Sequence, residues 1–179
     1  MRQPTTFTIP TLETERLILR APQAGDLDAE TAFFASDRCD FVGGQMPREQ
    51  VWRMLAAFLG GWALRGFGFF AIEDKATGEY LGRAGPWYPE GWPEKEIGWT
   101  LMAGAEGRGI GYEAAMASRK WAYDTLGWTT AISMILHGNT RSVALAERMG
   151  AHLESDFEHD RFGPCHIFRH PGPEAAAHA

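Results

Sequence analysis

Between Glu106 and Tyr112 the chain reads Glu-Gly-Arg-Gly-Ile-Gly-Tyr, with Gly107, Gly109 and Gly111 at every second position. Such spacing lets the backbone come close to an anion, and an adjoining helix start adds unpaired N–H groups and a partial positive charge. A phosphate-binding loop is one reading; a tight, flexible turn is the other. The dinucleotide pattern G-x-G-x-x-G does not fit, because the third glycine comes one residue early and no acidic residue ends a strand about 20 positions on. A P-loop would need Gly-Lys-Ser/Thr after four intervening residues, and none is present. Among the six histidines, His166 and His170 share a strand face at spacing four without a third ligand spaced to join them. His137, His152 and His159 read as ordinary strand or surface residues, so no metal is expected. Cys39 and Cys165 lack any CxxC spacing and read as packing residues of a reducing compartment.

The elements that must position these residues follow from hydrophobic period and turn chemistry. Residues 15–20 alternate and read as a first strand. A helix opens at Gly25-Asp26 and runs to about Ser36, with Leu27, Thr31, Phe34 and Ala35 on one face. From Arg48 to Arg65, Val51, Met54, Leu55, Phe58, Leu59 and Trp62 trace a second helix, Pro47 suits its first turn, and Gly60-Gly61 weakens its end. Phe67 to Asp74 and Glu79 to Trp87 form a hairpin across a Lys-Ala-Thr-Gly turn, followed by an irregular loop from Tyr88 to Pro93. A strand from Glu96 to Met102 then leads through the glycines into an Ala-rich helix ending at Leu126. Trp128 to Leu136 is the next strand, and Asn139 to Met149 a helix capped by Asn139 and Gly150. A last hairpin pairs His152 to Glu158 with Cys165 to His170, and the tail from Pro171 to Ala179 is expected to fray. The fold class is α+β, one domain over residues 1–170 and a disordered tail over 171–179.

The 179 residues suit one core, and an apolar fraction of 45% with 22% charged is ordinary for a globular chain. No run approaches the roughly 20 apolar residues of a membrane span, and the first ten residues lack the apolar core of a signal peptide. A cytoplasmic protein is the expectation. The net charge of −6 argues against sequence-independent binding to nucleic acid and suits, weakly, a cationic amine.

Taken together, these segments resemble the GNAT superfamily of acetyl-CoA-dependent N-acetyltransferases, whose Gln/Arg-x-x-Gly-x-Gly/Ala motif is matched by Glu106 to Gly111. Within it the chain is similar to the branch that acetylates ribosomal-protein N-termini. That branch opens with Leu-Glu-Thr-Glu-Arg-Leu-x-Leu-Arg, as Leu12 to Arg20 does here. Its Glu-Ile-Gly-Trp/Tyr strand appears as Glu96-Ile97-Gly98-Trp99 and its Asn-x-x-Ser helix as Asn139-Thr140-Arg141-Ser142. Three positions depart from the pattern: Glu106 stands for Gln or Arg, Ala146 for a tyrosine that protonates the leaving thiolate, and Ala151 for a phenylalanine.

The resemblance implies a central mixed sheet with a V-shaped splay between two strands and helices on both faces, with acetyl-CoA in the gap. Leu101, Met102 and Ala103 would pair with its pantetheine arm. Arg108, Gly109, Ile110, Gly111 and Tyr112 would hold its pyrophosphate, and Asn139 and Ser142 would border it. The Leu101 N–H would stabilise the oxyanion. Glu96, on one strand face with Gly98 and Thr100, is the candidate base; the alternative is an exposed carboxylate beside Glu94 and Lys95. Ser142, one turn before Ala146 and expected on the same face, is the candidate proton donor; the alternative is a helix-start serine bonded to backbone. Trp87, Tyr88 and Trp92 would line the acceptor site. The function implied is acetyl transfer to a primary amine, on a small molecule or a protein N-terminus, by a monomer or homodimer. The alternative is a catalytically silent acyl-CoA-binding module on the same fold, suggested by Glu106 and Ala146.

Overall fold

A computed structural model describes residues 6–176; the first five residues and residues 177–179 of the expected tail lie outside the described residues. Eight strands form one sheet in the order β1-β2-β3-β4-β5-β6-β8-β7. They are β1 (Leu12–Glu13), β2 (Leu17–Arg20), β3 (Phe70–Asp74), β4 (Tyr80–Trp87), β5 (Glu96–Leu101), β6 (Ile132–Leu136), β7 (His152–His159) and β8 (Gly163–Arg169). The helices are α1 (Leu27–Phe34), α2 (Arg48–Arg65), α3 (Ile110–Leu126), α4 (Thr140–Arg148) and a single turn, α5 (Pro173–Ala176). That turn stands where an irregular tail was expected, and the Tyr123 hydroxyl ties the segment down by donating to the Pro171 carbonyl at 2.8 Å. No described helix is long and apolar enough to cross a membrane.

The second helix keeps its full length despite Gly60-Gly61, because Val51, Leu55, Phe58 and Trp62 bury one face and Gly66 closes its end in the left-handed region. A short 3-10 segment from Asp37 to Val42 follows α1, where no periodic signal exists in the sequence. Alternation along β5 sends Ile97, Trp99 and Leu101 to the face covered by α3 and α4, and Glu96, Gly98 and Thr100 to the face covered by α2.

All strand pairs are antiparallel except β5 and β6, which are parallel and meet at one register only, Glu96 against Ile132. The Ile132 N–H donates to the Lys95 carbonyl at 3.0 Å. Two residues later the Ile97 carbonyl is met by the Ser133 side-chain hydroxyl at 2.7 Å instead of by backbone. There the strands part, and the expected splay opens between them.

Candidate active site

The Met102 N–H donates to the Leu81 carbonyl on β4 at 2.9 Å, so alternation turns the backbone of Leu101, Trp99 and Ile97 away from β4, into the splay. Two cavities open from it, of about 640 and 720 Å³. Both are bordered by Phe41, Val42, Trp99, Thr100, Asn139 and Ser142, so they meet at the mouth of the splay.

Glu96 lies in the first cavity and is only 7% exposed. Its carboxylate accepts from the Trp92 indole N–H and, at 3.4 Å, from the Met134 backbone N–H. Burial pushes its pKa up to about 7 against the lowering effect of those two donors. The reading of an exposed strand-start carboxylate is therefore overturned. A carboxylate held near 7 in a cavity can take a proton at neutral pH. Trp87 and Trp92 line the same cavity, whereas Tyr88 turns out under the Arg65 guanidinium, 4.9 Å from its ring centroid.

The second cavity is floored by the start of α3. Gly109 caps the helix at φ +79°, a conformation that a side chain would strain. Ile110, Gly111 and Tyr112 then present N–H groups that an α-helix leaves without partners. Gly111 has ordinary helical backbone; its need for glycine is space, since a Cβ there would meet Leu101 Cδ1 and Leu145 Cδ2 each at 3.2 Å. Arg38, Arg141 and Arg148 also line this cavity. Glu106 does not face it as a lone acid: Arg38 holds its two oxygens at 2.8 and 3.2 Å, and Arg141 donates at 3.0 Å. A glycine-pinched helix start ringed by guanidiniums fits the pyrophosphate and phosphate of a CoA thioester.

Of the residues singled out from the sequence, Leu101, Gly109, Ile110, Gly111, Tyr112, Asn139 and Ser142 border this cavity. Met102, Ala103 and Arg108 do not. Met102 packs among Phe33, Phe34, Cys39 and Val51, and Ala103 is exposed. The Arg108 side chain turns back to the Gly104 carbonyl and to Asp74. Asn139 caps α4 by accepting from the Ser142 N–H at 3.2 Å, and Ser142 Oγ accepts from the Trp99 indole at 3.3 Å. Ala146 does not share that face: it is buried against Ile135, Ala151 and Phe168.

Sequence reasoning missed a buried polar chain behind the splay. Arg119 donates to the Met149 carbonyl at 2.7 Å and to His170 Nδ1 at 3.1 Å, and His170 Nε2 lies 2.9 Å from Ser133 Oγ. A guanidinium only donates, so Nδ1 accepts, Nε2 carries the proton, and Ser133 passes its own to the Ile97 carbonyl. Burial pushes the His170 pKa down to about 3, with the charges of Arg119 and Arg169 adding to it. The face shared by His166 and His170 is thereby divided. His166 instead stacks on His137 with centroids 4.0 Å apart. Both rings approach Asp156 Oδ1, at 2.8 Å from His166 and 3.4 Å from His137. These three exposed or half-exposed side chains bring possible ligand atoms within 4.8 Å of one another, a grouping the linear spacing concealed.

Comparison with known proteins places this geometry in a lineage. The family model described as an acetyltransferase (GNAT) domain matches residues 16–152. An acetyltransferase from Agrobacterium tumefaciens is 38% identical, with a TM-score of 0.84 over 95% of this chain and 99% of that one. RimL, a ribosomal alpha-N-protein acetyltransferase solved in complex with coenzyme A, superposes at a TM-score of 0.74 over 90% of this chain and 98% of that one. At 15% identity it shares the fold alone. The uncharacterized protein YkkB of Bacillus subtilis is 33% identical over 89 residues, 49% of this chain and 52% of that protein. The match thus spans about half the length of this curated relative.

Proposed function

The chain belongs to the GNAT acetyltransferase family, and we propose that it transfers an acetyl group from acetyl-CoA to a primary amine within a ternary complex. One observation carries this reading: a buried carboxylate held near pH 7 and a glycine-pinched helix start occupy two cavities that share a mouth. A base beside an amine-sized cavity and an anion site opening onto it suit direct transfer.

In the reaction proposed, Glu96 takes a proton from the acceptor ammonium, directly or through water. The freed nitrogen lone pair forms the N–C bond at the thioester carbonyl. The Leu101 N–H, turned into the splay, donates to the oxygen as charge develops there. The C–S bond then breaks with its electron pair on sulfur. Ser142 relays a proton from water to that thiolate, while the nitrogen gives up its second proton to solvent. Arg38, Arg141, Arg148 and the α3 start hold the phosphates. The acceptor is a small amine or a protein N-terminus.

Thiol release from acetyl-CoA, followed with a panel of amines and N-terminal peptides, tests the reading. Amine-dependent release supports it. Tight CoA binding without turnover on any acceptor would leave a silent acyl-CoA-binding module.

A further inference from the structure

We infer that the acceptor is a primary amine carried on a compact aromatic or apolar body, a refinement that rests on the transferase reading above. The floor of the first cavity beside Glu96 is Gly98, and the space above it is bounded on two sides. A Cβ at that position would stand 3.0 Å from the Phe69 ring and 3.4 Å from Glu96 Oε1. The Phe69 ring therefore packs directly on Gly98 beside the Glu96 carboxylate, and is the surface an amine meets on reaching that base. That ring stacks on Trp87 with centroids 5.0 Å apart, and Phe58 meets Trp87 edge-on at 5.4 Å, so the wall continues as one aromatic surface. Across the cavity, Trp92, which donates to Glu96, packs edge-on against Phe162 at 5.8 Å.

Aromatic faces suit both partners in this step. They attract the ammonium before its proton leaves, through the ring quadrupole, and they reward burial of an apolar body afterwards. The charges do not suit a polycation. Most of the charges lining the cavity are already paired outside it, Arg83 with Glu30, Arg53 with Glu49 and Glu90 with Arg65, which leaves Glu96, Asp160 and Arg161. Polyamines and aminoglycosides need several acids around their outlying ammonium groups, and beyond Glu96 only Asp160 is left, in a cavity that Arg161 also lines.

The test compares kcat/KM for 2-phenylethylamine, ethylamine, spermidine and an Ala-starting peptide at saturating acetyl-CoA. It is paired with calorimetric binding of 2-phenylethylamine to the CoA-loaded protein. Burying a phenyl ring should favour 2-phenylethylamine over ethylamine by roughly 30-fold or more. Trp87→Leu, shown by its melt to be folded, should shrink that ratio by about 10-fold. Equal rates for the two amines, or preference for spermidine or the peptide, would overturn the inference while leaving the transferase reading intact. Absence of both turnover and binding with 2-phenylethylamine, alongside turnover of another amine, would do the same. Turnover of no acceptor at all would instead remove the transferase reading and, with it, this refinement.

Discussion

The Trp99 indole N–H donates to Ser142 Oγ across 3.3 Å, on the strand and helix that border the splay. Because the indole only donates, the serine oxygen accepts here and its own proton is free for another partner. Ser142 thereby stands apart from the common helix-start serine that bonds backbone, a task that Asn139 performs for this helix. We expect Ser142→Ala to lower the single-turnover rate about 10-fold to 100-fold with little change in melting temperature, at the low end of general-acid effects. A thiol of ordinary pKa near 8.5 leaves fairly well unaided, which keeps the effect modest. A wild-type rate at saturating acetyl-CoA would remove Ser142 from the reaction.

Glu96 should appear directly in the pH profile. With its pKa pushed up to about 7, the base form fills as pH rises through neutrality, so kcat/KM should climb over that interval and then level. Glu96→Gln should cost roughly 100-fold or more at pH 7, keep CoA affinity, and recover most of the loss at high pH, where the amine is already neutral. A flat profile through pH 7 in the wild-type protein would make Glu96 a structural carboxylate.

Much of this site was legible because its parts announce themselves locally. Helix α2 was readable from its apolar stripe, β5 and α3 from the glycines between them, and the α4 start from Asn139. The pieces that were not legible depend on distance in sequence. Arg38 sits on a short 3-10 segment without period, yet bonds Glu106 and the Leu101 carbonyl 63 residues away. His170, one residue beyond β8, meets Ser133 on β6 only once β8 pairs with β6. Ala146 was misjudged for a subtler reason. Ser142 and Ala146 are one turn apart, but four residues advance slightly more than a full turn, and α4 lies close enough to the sheet for that rotation to bury the second side chain.

A lone carboxylate at Glu106 would repel the cofactor's phosphates, and its ion pairs change how that repulsion acts. The carboxylate sits between Arg38 and Arg141, cancelling two positive charges at the rim of the second cavity. Glu106→Gln should release both guanidiniums and tighten acetyl-CoA binding several-fold at low ionic strength. The gain should fade as salt screens these partly exposed charges. Calorimetric titration at two salt concentrations measures it. Weaker binding in the variant would mean that Glu106 serves chiefly to hold Arg38 in place against the Leu101 carbonyl.

Glu96 and His170 should also leave opposite marks on stability. The folded pKa of Glu96 lies near 7 against an ordinary value of 4.5, so the native state holds its proton more tightly than the unfolded chain. Its penalty grows as pH rises from 4.5 to 7 and reaches roughly 3 kcal/mol above that interval. His170 works in the other direction. Its folded pKa lies near 3 against 6.5, so the unfolded chain takes up a proton that the native state refuses. Its contribution is complete above 6.5 and is lost as pH falls toward 3, by about 1.4 kcal/mol per pH unit. Between pH 4.5 and 6.5 the two slopes oppose each other in the wild-type protein, and single variants should separate them. Relative to wild type, Glu96→Gln should gain stability as pH rises from 5 to 7. His170→Asn should lose relative stability over the same range, on top of a constant cost for any broken bond to Arg119 or Ser133. Urea denaturation at pH 5, 6 and 7 gives both slopes, and two-state transitions with equal m-values would permit the comparison. Parallel slopes for the two variants would show that at least one of these groups titrates near its ordinary value in the folded protein.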